Sequence, residues 1–326
     1  MIHCFVINPA AGKKLDTNNL TEKIEEAAKS ENITPIIYKT TACGDAIRYV
    51  SEQCRLYNNE TVRFYACGGD GTLNEVVNAA VKYNNAEVAV VPLGTGNDYV
   101  KLFSNPEFFT DFKRQIHGTA RKTDLLKFNN KYCINILNIG FDCAVVQKVS
   151  EIKTKPWVPS NLAYIMGVIS TFCKKFGSHY KIDLNDEHFD EEFTLSVFGK
   201  GSYYGDGFKS LPLSKPDDGY IDACIVKKVS RLTFIKVIGT YKKGLHAENL
   251  EKFPFMEYRK CKKIHFESDE PVGICADGEI TLEKTIDIEV APQALAISIP
   301  QGCEFSSISE NKSNEKIILN IRKYNR

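Results

Sequence analysis

Three times in the first hundred residues a short apolar run stops at a glycine-bearing turn, and this constrains the fold more than any other feature. Residues 3–7 break at Asn8-Pro9-Ala10-Ala11-Gly12. Residues 62–67 break at Gly68-Gly69-Asp70-Gly71-Thr72. Residues 88–91 break at Pro92-Leu93-Gly94-Thr95-Gly96-Asn97-Asp98. Between these runs lie segments of helical spacing: 20–30, with Leu20, Ile24, Ala27 and Ala28 on one side; 45–56; and 72–83, with Val76, Val77, Ala80 and Val81 recurring. Residues 33–38 form one more β-branched run. Short strands alternating with helices of this length predict an α/β domain, a parallel sheet with helices on both faces.

The pattern changes after Asp124. Residues 125–128 and 132–138 flank Asn129-Asn130, a two-residue hairpin turn. Residues 181–184 and 193–198 look paired, and 220–226, 263–266, 286–290 and 295–299 are further strand candidates. Helical spacing recurs at 162–175 and at 231–243; the second is preceded by Ser230, a good N-cap, and followed by Gly244. A run of strands after a run of βα units predicts a second, mostly antiparallel domain. The expected domains are 1–125 and 126–302, with the tail 303–326 packing back onto the first.

Composition agrees and removes some classes of function. At about 150 residues per domain, 326 residues make two. Lys and Arg number 42 against 41 Asp and Glu, so the net charge of +1 excludes the strongly basic surface of a nucleic-acid-binding protein. Two local basic runs, residues 311–326 and Arg259, Lys260, Lys262 and Lys263, read as solvated faces. The 11 cysteines contain no CxxC pair. They read as buried, reduced thiols and predict a cytoplasmic protein. The first residues run directly into a strand, with no secretion signal. The longest apolar stretch, 157–172, is interrupted by Pro159, Ser160, Asn161, Gly167 and Ser170, and falls short of the roughly 20 apolar residues of a membrane span.

The three loops carry the chemistry. In an open parallel sheet they gather at the carboxyl edge of the strands, where ligands bind. The second is the sharpest: glycines let the backbone approach a ligand, and a helix N-terminus with free N–H groups follows, which suits phosphate. Asp70 at its centre would repel phosphate oxygens unless a divalent cation lies between them or the carboxylate takes a proton, so the loop points to phosphoryl transfer. The ordinary P-loop, dinucleotide and protein-kinase motifs are absent; a GxGxxG beginning at Gly94 fails at Tyr99. In the second half, Asp217-Asp218-Gly219 reads either as a turn or as a Mg²⁺ site. Asp277-Gly278-Glu279 reads either as a hairpin turn or as the place of a general base, Glu279.

Taken in order, Asn-Pro-x-x-Gly at 8–12, Gly-Gly-Asp-Gly-Thr-x-Asn-Glu at 68–75, Pro-x-Gly-Thr-x-Asn-Asp at 92–98, Asp-Asp-Gly at 217–219 and Asp-Gly-Glu at 277–279 resemble the diacylglycerol kinase catalytic family, in particular its soluble bacterial lipid kinases, which are similar to the sphingosine and ceramide kinases. The resemblance implies an N-terminal domain like that of NAD kinase and phosphofructokinase, a C-terminal β-sandwich, and a site in the cleft between them. It assigns ATP to Asn8, Pro9, Ala10, Ala11, Gly12, Thr40, Gly68, Gly69, Asp70, Gly71, Thr72, Leu73, Asn74 and Thr95. It assigns a structural Mg²⁺ to Asp218 and to the main-chain oxygens of Lys215 and Tyr220. Glu279 becomes the proton acceptor, with Asp70 as the other candidate, and Asp70 and Asp98 join an acidic network around the phosphates. The implied activity is transfer of the γ-phosphate to a lipid hydroxyl, of diacylglycerol or a related lipid, at a membrane surface touched peripherally. The alternatives are a NAD kinase-like phosphotransferase and a non-catalytic nucleotide- or lipid-binding regulator. Leu162, Tyr164, Ile165, Val168 and Ile169, with Phe103, Phe108, Phe109 and Phe112, are candidates for an apolar wall facing the lipid, although core packing is the better reading for any single one of them. A homodimer through a sheet edge is left open. The chain departs from the family pattern at Lys101, in place of Arg, and at Gly205-Asp206-Gly207 and Leu211-Pro212 on the acceptor side.

Overall fold

A computed structural model describes residues 1–12, 15–140, 176–205 and 207–306, together with Cys143 and Lys148. The expected helix at 162–175, its apolar residues and the basic tail lie outside the described residues.

In the first half, β1 (Ile2–Ile7), β2 (Ile36–Lys39), β3 (Val62–Gly68) and β4 (Ala86–Pro92) lie in the order β4-β3-β1-β2, each neighbouring pair parallel. Helix α1 (Thr17–Ser30) begins at Asp16, whose carboxylate accepts the N–H groups of Asn18 and Asn19. Its Leu20, Ile24 and Ala28 cover one face of the sheet with Phe112 and Ile116 of α4 (Phe112–Ile116). Helices α2 (Asp45–Leu56) and α3 (Asp70–Ala80) cover the other face through Val50, Cys54, Val76 and Val77.

The second half is built from β5 (Thr119–Phe128), β6 (Lys131–Cys133), β7 (Ile136–Gly140), β8 (Ser178–Leu184), β9 (Glu187–Gly199), β10 (Ile221–Lys227), β11 (Met256–Cys261), β12 (Lys263–Ala276) and β13 (Glu279–Ile299). Within this set every pairing is antiparallel. Asn129 and Asn130 both have positive φ, the type I′ geometry, and turn β5 into β6. One face of these strands encloses Leu126, Ile139, Ile182, Phe193, Phe198, Ile225, Phe266 and Ile288. The opposite face of β9 and β10 is covered by helix α5 (Arg231–Lys242) and flanking loops, through Tyr241, Ala247 and Leu211. As the sequence suggests, Ser230 Oγ caps α5 by accepting from Thr233 N at 3.1 Å, and Gly244 follows in a left-handed conformation.

One reading is corrected. The candidates 286–290 and 295–299 are one strand of 21 residues, β13, which Pro292 interrupts without ending. Its register against β5 shifts between Ala291 and Leu295, and Gln293, with positive φ, donates its N–H across the bulge to Asp124 Oδ1 at 2.9 Å. Before the bulge β13 pairs with β12; after it, Ala296–Ser298 pair in parallel with β4. The division near residue 125 therefore falls inside β5, and one strand serves both halves. For the aromatics offered as a lipid wall, core packing, the better reading from the sequence, holds. Phe103 and Phe109 are closed in the core, Phe103 stacking on Phe305 with centroids 4.8 Å apart. Phe112 packs edge-on to Phe5. Phe108 lies under the Arg114 guanidinium at 3.9 Å. Burial in the core accounts for the apolar character of Phe103, Phe109 and Phe112.

Two histidines are kept neutral by burial. His3 Nδ1 meets Tyr65 Oη at 2.8 Å, and His246 Nε2 meets the Ser210 carbonyl at 3.1 Å; burial first lowers both pKa values to about 4 from 6.5. The unfolded chain binds protons at both sites below pH 6.5, whereas the folded chain does so only near 4. Their stabilisation is complete above pH 6.5 and is lost as the pH falls towards 4. The urea midpoint should drop over that interval, and His3→Gln should drop less than the wild type.

Candidate functional site

The three glycine loops leave β1, β3 and β4 side by side, and they touch. A Cβ on Gly94 would stand 2.5 Å from Gly69 Cα, and one on Gly12 would stand 2.6 Å from the Leu93 carbonyl oxygen. Asn8 Nδ2 donates to Thr72 Oγ1 at 3.0 Å, joining the first loop to the second. Helix α3 starts at Gly69 without a side-chain cap, so its first N–H groups face outward along the helix axis. Leu73, assigned to the nucleotide, points its side chain into the core; at that position only the backbone reaches the loop surface. Thr95 is exposed at the tip of the third loop. Thr40 follows β2 and donates its N–H to the Ile7 carbonyl at 2.9 Å. The next residues are drawn to α3, where Glu75 Oε1 accepts the Gly44 N–H at 2.9 Å.

Asp70 does not point freely into the loop. Its carboxylate accepts the N–H of Asn97 at 3.0 Å and of Asp98 at 3.1 Å, fastening the second loop to the third. Burial, then the charges of Asp98 and Asp277, push its carboxyl above the usual range, and the two N–H donors oppose this. Asp98 pairs with Lys101 Nζ at 2.6 Å, so the lysine that replaces the family's arginine still meets a carboxylate. The Oδ2 atoms of Asp70 and Asp98 lie 2.9 Å and 3.8 Å from the place a Cβ on Gly96 would fill. Two carboxylate oxygens facing one small cradle suit a hard, oxygen-loving cation such as Mg²⁺.

The second half closes the site through the β12–β13 hairpin. Asp277 and Gly278 both have positive φ and pair Ala276 with Glu279, a two-residue type I′ turn. The Asp277 carboxylate also collects five donors: the N–H groups of Ile134 (2.9 Å), Asn135 (3.0 Å) and Ile136 (3.2 Å), Cys133 Sγ (3.1 Å) and Asn74 Nδ2 (3.2 Å). Burial pushes its carboxyl up, against the pull of these donors. Asn74, assigned to the nucleotide, is thus the tie between α3 and the hairpin. The tie holds Glu279 over the mouth of the second loop: its Oε1 is 4.0 Å from the position of a Cβ on Gly71, and the residue is exposed. Cys43, the exposed cysteine among the described residues, stands on the same rim, its thiol pushed up first by its hydrogen bond to Glu75.

Asp218 and the Tyr220 carbonyl, two of the three groups assigned to the structural Mg²⁺, face a lysine ammonium. Lys200, whose side chain is wholly buried, puts its Nζ 2.7 Å from Asp218 Oδ1 and 2.6 Å from the Tyr220 carbonyl oxygen. Lys260 Nζ takes the other Asp218 oxygen at 2.8 Å. Among the described residues no cluster of three His, Cys, Asp or Glu side chains is arranged to hold a metal. Lys200 and Asp124 have no part in the motifs. The one available signal is a charged residue inside or at the end of an apolar strand, at 124 and 200, where burial demands a partner.

Comparison with known proteins adds the family. The diacylglycerol kinase catalytic domain matches residues 3–128, and the YegS C-terminal NAD kinase beta sandwich-like domain matches residues 135–299. A Staphylococcus aureus (strain MSSA476) protein named "Putative lipid kinase" is 27% identical over 258 residues, which is 78% of this chain and 83% of that protein; a protein so named in strain MW2 matches equally. A crystal structure described as "a putative diacylglycerol kinase from Bacillus anthracis str. Sterne" superposes with a TM-score of 0.73 at 25% identity, covering 92% of this chain and 98% of that one. A second from the same organism shares the fold, with a TM-score of 0.69 at 24% identity.

The loop contacts set a contrast in stability. Gly94→Ala drives a Cβ into the Gly69 backbone and should cost about 1–3 kcal/mol. Gly71→Ala meets no atom closer than 4.0 Å and should be neutral or slightly stabilising. Thermal unfolding of the two variants separates these outcomes.

Proposed function

Because this chain belongs to the diacylglycerol kinase catalytic family, we propose that it is an ATP- and Mg²⁺-dependent lipid kinase that transfers the γ-phosphate to the hydroxyl of diacylglycerol or a related lipid. The observation that carries this reading is the position of Glu279 opposite the uncapped N-terminus of α3, with Gly71 between them.

The nucleotide phosphates lie along the second loop, where the α3 N–H groups meet their negative charge without reorganisation. Bound Mg²⁺ would neutralise phosphate charge as it shifts to the leaving oxygen, with Asp70 and Asp98 as the residues to hold it. Glu279 accepts the proton of the lipid hydroxyl as its oxygen attacks the γ-phosphorus; the bond to the β-phosphate oxygen breaks, and ADP and the phosphorylated lipid remain. Glu279 suits the base role better than Asp70, because both Asp70 oxygens already accept main-chain N–H groups.

The lipid reaches the cleft from a membrane surface with which the protein makes peripheral contact. Among the described residues no helix is long and apolar enough to cross a membrane. Leu232 and Ile235 on α5 are 72% and 58% exposed, beside Lys236 on the same helix, a mixture that suits contact with an anionic bilayer.

The test is labelled ATP with Mg²⁺ and a panel of detergent-dispersed diacylglycerol, phosphatidylglycerol, sphingoid base and polyprenol, with NAD as a further arm. Label in a lipid is the expected result; label in NAD alone, or in nothing, overturns the reading. Glu279→Gln should lower kcat by about 10²–10⁴-fold while leaving ATP affinity nearly unchanged. Parallel loss of ATP binding would move Glu279 from proton transfer to binding.

A further inference from the structure

Lys200 directly follows β9 at the junction of the two halves, and its side chain is fully buried. Its ammonium donates to Asp218 Oδ1 at 2.7 Å and to the Tyr220 carbonyl at 2.6 Å, and forms an ion pair with Asp124 Oδ2 at 3.1 Å. These acceptors are themselves held. Asp124 accepts the Gly219 N–H at 2.7 Å and the Gln293 N–H at 2.9 Å, and its own N–H donates to the Pro216 carbonyl at 2.8 Å. Asp218 accepts the Tyr220 N–H at 3.2 Å and Lys260 Nζ at 2.8 Å. Lys260 continues to Asp222 at 2.7 Å, and Asp222 accepts from Tyr258 Oη at 2.8 Å. The cluster joins β5, the end of β9, the loop before β10 and the bulge of β13.

We infer that the Lys200 ammonium is a tethered replacement for a divalent cation: it occupies the position between Asp218 and the Tyr220 carbonyl, so this chain holds its domain junction without a metal there. Two physical reasons support this. Mg²⁺ binds oxygen at about 2.0–2.1 Å. A metal that close to both oxygens would lie against an ammonium already 2.6 and 2.7 Å from them, so the two cations exclude each other. The charges also call for a cation at this place. Asp124, Asp218 and Asp222 supply three negative charges against the positive charges of Lys200 and Lys260. Removing Lys200 leaves three against one, a deficit of two that one divalent cation fills.

The exchange has a consequence for regulation by metal. An ammonium on a covalent stem is present at every Mg²⁺ concentration, so the geometry of the cleft is independent of free metal. Any Mg²⁺ requirement then belongs to the nucleotide at the loops alone. The inference concerns the junction and stands apart from the lipid-kinase reading.

The test uses nucleotide-free full chain, with thermal unfolding in EDTA and in millimolar Mg²⁺ as the readout. The wild type sets the reference for any gain from Mg²⁺ at the glycine loops. Lys200→Ala should melt about 10 °C lower in EDTA, from the loss of one partner of a buried ion cluster, and should regain part of that difference in Mg²⁺. A Lys200→Ala variant that melts with the wild type in EDTA, or that gains no more from Mg²⁺ than the wild type does, overturns the inference. Where Lys200→Ala does not fold in EDTA, Lys200→Met, which keeps the apolar stem and loses the charge, is compared with the wild type in the same way. Since no turnover enters the measurement, a failed phosphotransfer assay leaves its outcome unaffected.

Discussion

The Asp277 carboxylate accepts three consecutive main-chain N–H groups, from Ile134, Asn135 and Ile136, and a side-chain donor from Asn74 on α3. A carboxylate taking this many donors fixes the path of the chain on every side. It stops β6 at Cys133 and turns the chain into β7, and it sets the β12–β13 turn against the helix that starts at the glycine loop. Glu279 is two residues further on. Its distance from Gly71 is therefore set by Asp277, although the two belong to opposite halves of the molecule.

Strand β13 carries the same coupling through the rest of the structure. Glu279 opens it beside the loops, its middle is bent by the bulge that Asp124 closes, and its end pairs with β4 in the parallel sheet. Pulling the halves apart would break a continuous ladder rather than bend a linker. The Lys200 cluster sits on this path through Asp124, so the buried charges and the shared strand hold the same junction. Buried ions are expensive unless every oxygen and proton is satisfied. Here each named oxygen of Asp124, Asp218 and Asp222 has a donor.

Much of this was legible in the sequence because its causes are local. The alternation of apolar runs and helical spacing, the Ser230 cap, the Gly244 stop and the Asn129-Asn130 turn depend on neighbours within a few residues, and the structure has each of them. Asp277-Gly278 read equally as a turn and as a site; it is a type I′ turn, and its carboxylate is also the anchor of the site. The aromatics from Phe103 to Phe112 were ambiguous for the opposite reason. Apolar residues near a functional motif look the same whether they face a ligand or a core, and only the packing of Phe305 on Phe103 tells them apart.

The sequence by itself determined the two kinds of layer, the three glycine loops and their family, because each rests on backbone periodicity or on a motif short enough to act alone. The tertiary structure decided which residues meet across long stretches of chain: Asn74 with Asp277, Asp124 with Gln293, and Lys200 with Asp218. The physical reason is the same in each case. A buried charge or amide has no preferred partner in its own segment and must be satisfied by whichever group the fold delivers, so its role becomes visible only when the fold is complete.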